Sequence, residues 1–466
     1  MTLPEHVRRS PSTEAAAFLE QYPDLAVADM LAPDMNGILR GKQLTPAGLR
    51  KLYSEGVRLP ASIYLLDWTG RSVPPIGFGT SDGDPDWYCH PVPYTLRPVP
   101  WARRKAAQVL TSMADEHGAP HWADPRHLVA RAAEPLTALG LRPVIAIEYE
   151  FYLVDRDAAL SGTIRPATAP RHGWRASGTN VYGLDELDDF DDLLADVQEA
   201  CSVQDIPIDT FVAEYAPGQF EVNLTHVDDP VLACDHAILL ERAIKEVAKR
   251  HGVIATFMAK PLIEMTGSGL HVHVSLLDKA GRNVFAGPLD KTLNRPMSDT
   301  LRHAIGGLVQ TLPEAMAIFA PNANSYRRLM PGAYAPVNTH WGGDNRTLCL
   351  RIPPSDDTGT RIEHRAAGAD ANPYLVTAAV LAGIHHGISN RIEPPPPCTG
   401  DAALEPGAAL PSRWEEALGL FSRSEVLPRY LGELYCRCFH DCRRFEADAF
   451  HAHIDPLEYE WYLRTA

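Results

Sequence analysis

The sequence predicts an α+β protein in two parts, a small N-terminal unit and a larger C-terminal one, and three observations predict it. An Asn-Gly turn between two short apolar runs is followed at once by a helix with its own cap. A stretch at 143–154 has the period of two that marks a strand and is the clearest such signal in the chain. Beyond it, helical and strand-like segments alternate without any internal repeat.

Taken in order, residues 1–19 read as a tail running into a first short helix. Runs 25–32 and 38–44 flank Asp34, Met35, Asn36 and Gly37, and Asn-Gly supplies the positive φ that a tight hairpin needs. Thr45 offers an N-cap and Pro46 a first helical residue for a helix ending near Gly56. The Pro-rich stretch 70–100 reads as irregular. Asp124 and Pro125 open a helix that runs out at Gly140, followed by the strand at 143–154. The acids between Asp185 and Glu199 read as a solvated helix face. A long helix is predicted over 231–250, strands over 253–259, 269–277 and 346–352, and a helix after Asn372-Pro373. The prolines at 394–397 form a stiff connector, and 410–466 reads as helical.

Bulk composition narrows the function. The chain has 466 residues, 45% hydrophobic and 22% charged, as expected of a globular protein. Lys plus Arg number 43 against 59 Asp plus Glu, for a formal charge of −16. Binding nucleic acid or an anionic membrane needs the opposite sign over an extended surface. No apolar stretch approaches the roughly 20 residues that span a bilayer. The eight cysteines read as free thiols of a reducing compartment, so the cytoplasm is expected. Cys436, Cys438 and Cys442 crowd one likely helix, where a tetrahedral zinc site closes awkwardly; buried thiols are expected there.

The chemistry-bearing residues come in pairs. Glu148 and Glu150 lie two apart on the strongest strand and share a face. Like charges so placed are mutually unfavourable unless a cation lies between them, or unless both face solvent. Glu214 and Glu221 flank a turn at 216–219, so a hairpin brings them together. His271 and His273 follow Gly267-Ser268-Gly269, a turn that lets a ligand approach backbone N–H groups. Arg361, Glu363 and Arg365 alternate, and Arg327, Arg328, Arg346 and Arg351 add the fixed positive charge that phosphoryl transfer needs. Each pair alone has a bland reading, such as a surface ion-pair ladder. Together they describe carboxylates and a histidine for two divalent cations, Mg²⁺ or Mn²⁺, beside arginines for phosphates.

These motifs, in this order along nearly the whole chain, resemble the glutamine synthetase superfamily. The branch that ligates polyamines is the nearest likeness, through Asp34, Asn36, Gly37, Arg40 and Lys42 and through the segment 368–375. The resemblance implies a β-grasp N-terminal domain over 20–117 and a catalytic domain with a curved antiparallel sheet over 118–466. It implies a homo-dodecamer whose substrates are glutamate, an amine and ATP. It puts one cation on Glu150, Glu214 and Glu221, and the other on Glu148, His271 and Glu363. Glutamate falls to Gly267, Arg328, Arg365 and His271, and ATP to His273, Ser275, Arg346, Arg351 and Arg361. Arg328, Arg346 and Tyr334 stand at the reacting centre. The family has Asn where Thr266 stands, so only the backbone role of that turn carries over.

Two departures bear on the second substrate. Glutamine synthetases carry a Glu where this chain has Tyr334, and an Asp before the loop matching Ala61-Ser62, where this chain has Arg58, Leu59 and Pro60. Those acids bind ammonium. A tyrosine instead offers a ring to an alkyl chain or an ammonium face, worth about 0.5–2 kcal/mol, so an organic amine is expected. Asp67, Trp68 and Trp341 are candidates for its pocket. The rival expectations are an ammonia-using glutamine synthetase and a catalytically silent relative.

Overall fold

The computed structural model describes residues 11–466. The expected tail therefore lies outside the described residues as far as Ser10, and from Pro11 the chain is already helix α1 (Pro11–Gln21). The Asn-Gly signal is met: β1 (Val27–Pro33) and β2 (Leu39–Leu44) pair antiparallel across a turn in which Gly37 has φ +78°. Buried Asp34 closes that turn by accepting the backbone N–H groups of Asn36 and Ile38 at 2.8 and 2.9 Å. Thr45 caps α2 (Pro46–Ser54) by accepting from the Gly48 N–H. The stretch 70–100 is mostly short turns, yet it supplies two strands. With β3 (Val57–Pro60), β4 (Asp86–Pro91), β5 (Arg97–Pro98) and β6 (Ala106–Ala114), the first sheet runs β2-β1-β6-β4-β3, with β5 on β6. Only the β1–β6 contact in it is parallel.

The second sheet carries the chemistry. Helix α3 (Pro125–Ala138), capped by Asp124, leads into β7 (Arg142–Asp155), the longest strand. After α4 (Arg156–Leu160), α5 (Leu184–Asp189) and α6 (Asp191–Val203) come the hairpin β8 (Ile208–Ala213) and β9 (Gln219–Leu224). Helix α7 (Pro230–Arg250) precedes β10 (Val253–Thr256) and β11 (Leu270–Leu277). A small hairpin, β12 (Leu289–Asp290) with β13 (Arg295–Pro296), precedes α8 (Asp299–Phe319). Short strands β14 (Trp341–Gly342), β15 (Leu350–Arg351) and β16 (Ile362–His364) finish a curled sheet ordered β14-β15-β16-β11-β7-β9-β8, with β10 also on β7. All its pairings are antiparallel except β14 with β15. The strand expected over 346–352 is thus only two residues long, in β15.

Helix α9 (Pro373–Asn390) is apolar on nearly every side because α3, α7 and α8 cover it. The rest of the chain is helical as expected: α10 (Trp414–Phe421), α11 (Leu427–Leu431), α12 (Glu433–His451) and α13 (Pro456–Tyr462). Cys436, Cys438 and Cys442 are buried free thiols on α12, and none belongs to a potential metal cluster among the described residues. The acidic run does lie on solvated helices, with one exception: Glu186 is buried and accepts the Gly218 N–H at 2.6 Å.

Candidate active site

Sheet register assembles the site. Glu148 on β7 lies opposite His271 on β11, and His273 lies opposite Glu363 on β16. On the other flank of β7, Glu150 lies opposite Glu221 on β9. Residues in register share a face and side chains alternate with period two, so six of the paired residues singled out by spacing converge on one surface. Glu214 joins them because its N–H donates to the Gln219 carbonyl at 2.8 Å, closing the β8–β9 turn beside Glu221.

Glu148 is held between two imidazoles, with its Oε2 3.1 Å from His271 Nδ1 and its Oε1 2.7 Å from His273 Nε2. Burial opposes its charge, yet the charge and hydrogen bonds of those histidines hold its carboxyl well below the ordinary range. Glu363 is buried and receives Arg351 Nη1 at 2.6 Å, with Arg365 Nη1 on its other oxygen. Burial opposes ionisation here as well, and Arg365 with the histidines outweighs it, setting Glu363 at about 2. The opposite holds across the sheet. Burial, then Glu150, raises Glu214 to about 7; burial, then Glu148, Glu150 and Glu214, pushes Glu221 up to about 9.

That raised pair is where a divalent cation fits. Burial and the neighbouring carboxylates hold protons on this pair against the pull of Arg346 and Arg365 on Glu214, and carboxylate oxygens beside the His271 imidazole suit Mg²⁺ or Mn²⁺. Among the described residues, donor atoms come within 4.8 Å of one another in two groups, Glu148 with Glu221 and His271, and Glu148 with His273 and Glu363. These groups share Glu148 and bring in His273, which differs from the partition expected from the resemblance. The difference has a local cause: Glu148 reaches both histidines at once.

Two cavities meet at Glu148. The smaller, about 320 Å³, has Glu150, Glu214, Glu221 and His271 on its floor, with Gly267, Arg328, Arg346 and Arg365 beside them. The larger, about 1140 Å³, is lined by His273, Ser275 and Arg361, with Thr210, Asn223 and Thr358. Arg361 donates to His273 Nδ1 at 3.1 Å. Of the residues expected to face ATP, Arg346 instead lines the smaller cavity, and Arg351 is engaged by Glu363 and Asp344. Arg328 is buried, anchored on the carbonyls of Ala366 and Arg365 at 3.1 and 3.3 Å. Gly267 has to be glycine: a Cβ there would lie 2.6 Å from both the Ala259 carbonyl and Arg328 Cγ.

Tyr334 lines the smaller cavity, and the structure adds two tyrosines to it, Tyr182 and Tyr215. Their exposures of 59%, 56% and 44% place all three at the mouth. Tyr334 (φ +52°) and Tyr182 (φ +61°) are both left-handed, an uncommon state for a large side chain that collects at functional sites. Neither Tyr182 nor Tyr215 belongs to a spacing pattern. Trp341 is buried, with its ring N–H on the Pro395 carbonyl at 2.7 Å. Asp67 folds back on Thr69 and Arg71, and Trp68 lines a separate cavity beside α7. None of these three lines the smaller cavity within the chain.

Comparison with known proteins gives a consistent result. Residues 122–462 match the family model "Glutamine synthetase, catalytic domain". A γ-glutamylputrescine synthetase of Escherichia coli (strain K12) is 41% identical over 453 residues, covering 97% of this chain and 95% of the relative. A glutamate–isopropylamine ligase of Pseudomonas sp is 36% identical over 419 residues, 88% of each chain. Among solved structures, one described as a GmaS/ADP complex superposes with a TM-score of 0.83 at 26% identity, covering 97% of this chain and 99% of the other.

Proposed function

The chain belongs to the glutamine synthetase family, and on that premise we propose that it is an ATP-dependent ligase joining the glutamate γ-carboxyl to an organic amine. The observation that carries this reading is the smaller cavity, charged at its floor and aromatic at its mouth. Relatives whose names specify putrescine and isopropylamine as substrates support it.

A carboxylate is a poor acyl donor because its leaving group would be oxide. Transfer of the γ-phosphoryl group of ATP to the γ-carboxylate gives γ-glutamyl phosphate, and the amine nitrogen then attacks that carbonyl and expels phosphate. Arg328 and Arg365 take the substrate carboxylates, and the Gly267 turn presents backbone to the amino acid. His273, Ser275 and Arg361 face the nucleotide from the larger cavity. Arg346 stands beside the carbonyl, where charge develops as the amine attacks. Two divalent cations would be held by Glu150, Glu214 and Glu221, and by Glu148, His271 and Glu363; bound there, they supply the positive charge that phosphoryl transfer needs. Ammonium binds through its charge and its N–H groups and has no apolar surface. Tyr182, Tyr215, Tyr334 and Val181 present ring and methyl surface instead, which rewards an alkyl group on the nitrogen.

We propose further that the subunits form a homo-dodecamer. Helix α13 supports self-association, since it buries none of its residues in its own chain and exposes Leu457, Tyr459, Trp461 and Tyr462. Eight buried free thiols support a reducing, cytoplasmic setting. Among the described residues, no helix is long and apolar enough to cross a membrane.

The reaction is tested by mass spectrometry with glutamate carrying ¹⁸O in its γ-carboxyl. A γ-glutamyl amide of the supplied amine, with one labelled oxygen in the released phosphate, is the expected result. Unlabelled phosphate would exclude the acyl-phosphate route.

A further inference from the structure

Gln219 opens β9, is 1% exposed, and has no role in the reaction as derived above. A glutamine amide offers two N–H donors and an oxygen with two lone pairs, and here all find partners. Its Nε2 donates to the Gly267 carbonyl at 3.1 Å and to Glu150 Oε2 at 3.4 Å. Its Oε1 accepts the Thr266 hydroxyl at 2.5 Å and the Ala216 N–H at 3.3 Å. One buried amide therefore joins the Glu150 carboxylate, the 266–267 turn and the hairpin turn that carries Glu214. Glu150 is tied to the same glycine turn a second time, by the Gly269 N–H at 2.7 Å. Tyr152, in register with Gln219 on β7, holds the same turn, its hydroxyl donating to the Thr266 carbonyl at 2.7 Å.

We propose that Gln219, with Thr266 as its partner, is a positioning residue that makes cation binding and glutamate binding one coupled event. The inference rests on the function proposed above, in which Glu150 takes a cation and the Gly267 turn holds glutamate. A cation that orients Glu150 fixes the donors on that carboxylate, Gln219 and Gly269, and through them the turn. Glutamate seated on the turn fixes Glu150 in return, because coupling between two sites is reciprocal. Thr266 also gains a reason. Its hydroxyl is engaged by Gln219, so at this position the chain ties turn to carboxylate through a side chain.

The test is calorimetric and needs no turnover: glutamate is titrated into the full chain with and without Mn²⁺, and Mn²⁺ with and without glutamate. The wild type is expected to show each ligand tightening the other by about tenfold. Gln219→Leu keeps the volume and removes every one of the amide's bonds, so the factor is expected to fall close to one. Its KM for glutamate should rise by about tenfold while its KM for ATP stays within about twofold. Thr266→Val removes only the hydroxyl, guards against misfolding of the first variant, and should lose part of the factor; Thr266→Ser should restore it. Both variants keeping the wild-type factor would overturn the proposal, as would equal rises in both KM values. A wild type that binds both ligands but releases no phosphate with any amine would refute the ligase reading and leave the calorimetric result to decide the coupling separately.

Discussion

Glu221→Gln is expected to stabilise the protein without metal and to weaken its response to metal. Glu221 is 9% exposed, and burial, then the charges of Glu148, Glu150 and Glu214, raise its carboxyl from 4.5 to about 9. A folded value above the unfolded one contributes stability that is complete below pH 4.5 and is lost as pH rises toward 9, at about 1.4 kcal/mol per pH unit. At pH 8 the loss is on the order of 2–4 kcal/mol, allowing for charge shared among coupled carboxylates. Glutamine keeps the shape and removes the charge. In EDTA at pH 8 the variant should therefore melt several degrees above wild type, at about 2–4 °C per kcal/mol for a large domain. Below pH 4.5 the gap should close, because the wild-type carboxyl is then mostly protonated in both states. Saturating Mn²⁺ reverses the order: a ligand at a thousandfold its Kd adds about 4 kcal/mol to the wild type, and much less to a variant missing a carboxylate donor. A variant melting below wild type in EDTA at pH 8, or gaining as much from Mn²⁺, would refute the reasoning.

Three further outcomes are expected. His121 is buried and accepts the Ala123 N–H on Nδ1, and burial lowers it to about 4, so stability present above pH 6.5 is lost as pH falls toward 4. Denaturant unfolding should show His121→Gln losing less stability over that window, by up to about 3 kcal/mol. Arg443 on α12 is 1% exposed and donates to Asn36 Oδ1 at 2.7 Å and Glu446 Oε2 at 2.9 Å, so Arg443→Met leaves the Glu446 carboxylate, 8% exposed, with the Trp68 N–H but no cation, and should cost about 3 kcal/mol in the same assay. Deleting residues 454–466 removes a helix that exposes Leu457, Tyr459, Trp461 and Tyr462 and buries none of its residues, and light scattering should then report a smaller assembly with the monomer fold intact by circular dichroism.

Much of the site was legible because strand chemistry has a short period. Glu148 with Glu150, His271 with His273, and Arg361 with Glu363 and Arg365 are pairs at a spacing of two, and sheet register had only to bring their strands together. What spacing could not show is which strands neighbour which. The alternation around Glu363 could equally have been an exposed ion-pair ladder; burial against β11 and β15 decides it. Tyr182 and Tyr215 belong to loops and Gln219 is the first residue of β9 after a turn, places where function depends on where the chain comes to rest.

Two of the elements that the sequence did not announce have clear physical reasons for it. Strand β6 lies between β1 and β4, and its sequence of small and mixed residues, buried on both faces, leaves no alternation to detect. Helix α8 contains Gly306, Gly307 and Pro313, which read as breakers. Its helical spacing of Leu301, Ile305, Leu308, Leu312 and Phe319 after the Ser298 cap was the signal to weigh against them. Gly307 is there because α9 packs so close that a Cβ would lie 2.2 Å from the Gly383 carbonyl.

The central claim is that this site selects an organic amine over ammonia. The direct measurement is kcat/KM for ammonium, putrescine, spermidine, ethanolamine and small monoamines, at saturating glutamate, ATP and Mg²⁺. At least one amine should exceed ammonium by about tenfold or more, the scale on which a few methylenes in an apolar pocket are read. Ammonium equal to or better than every amine would contradict the account, leaving the tyrosines at the cavity mouth without a role in choosing the second substrate.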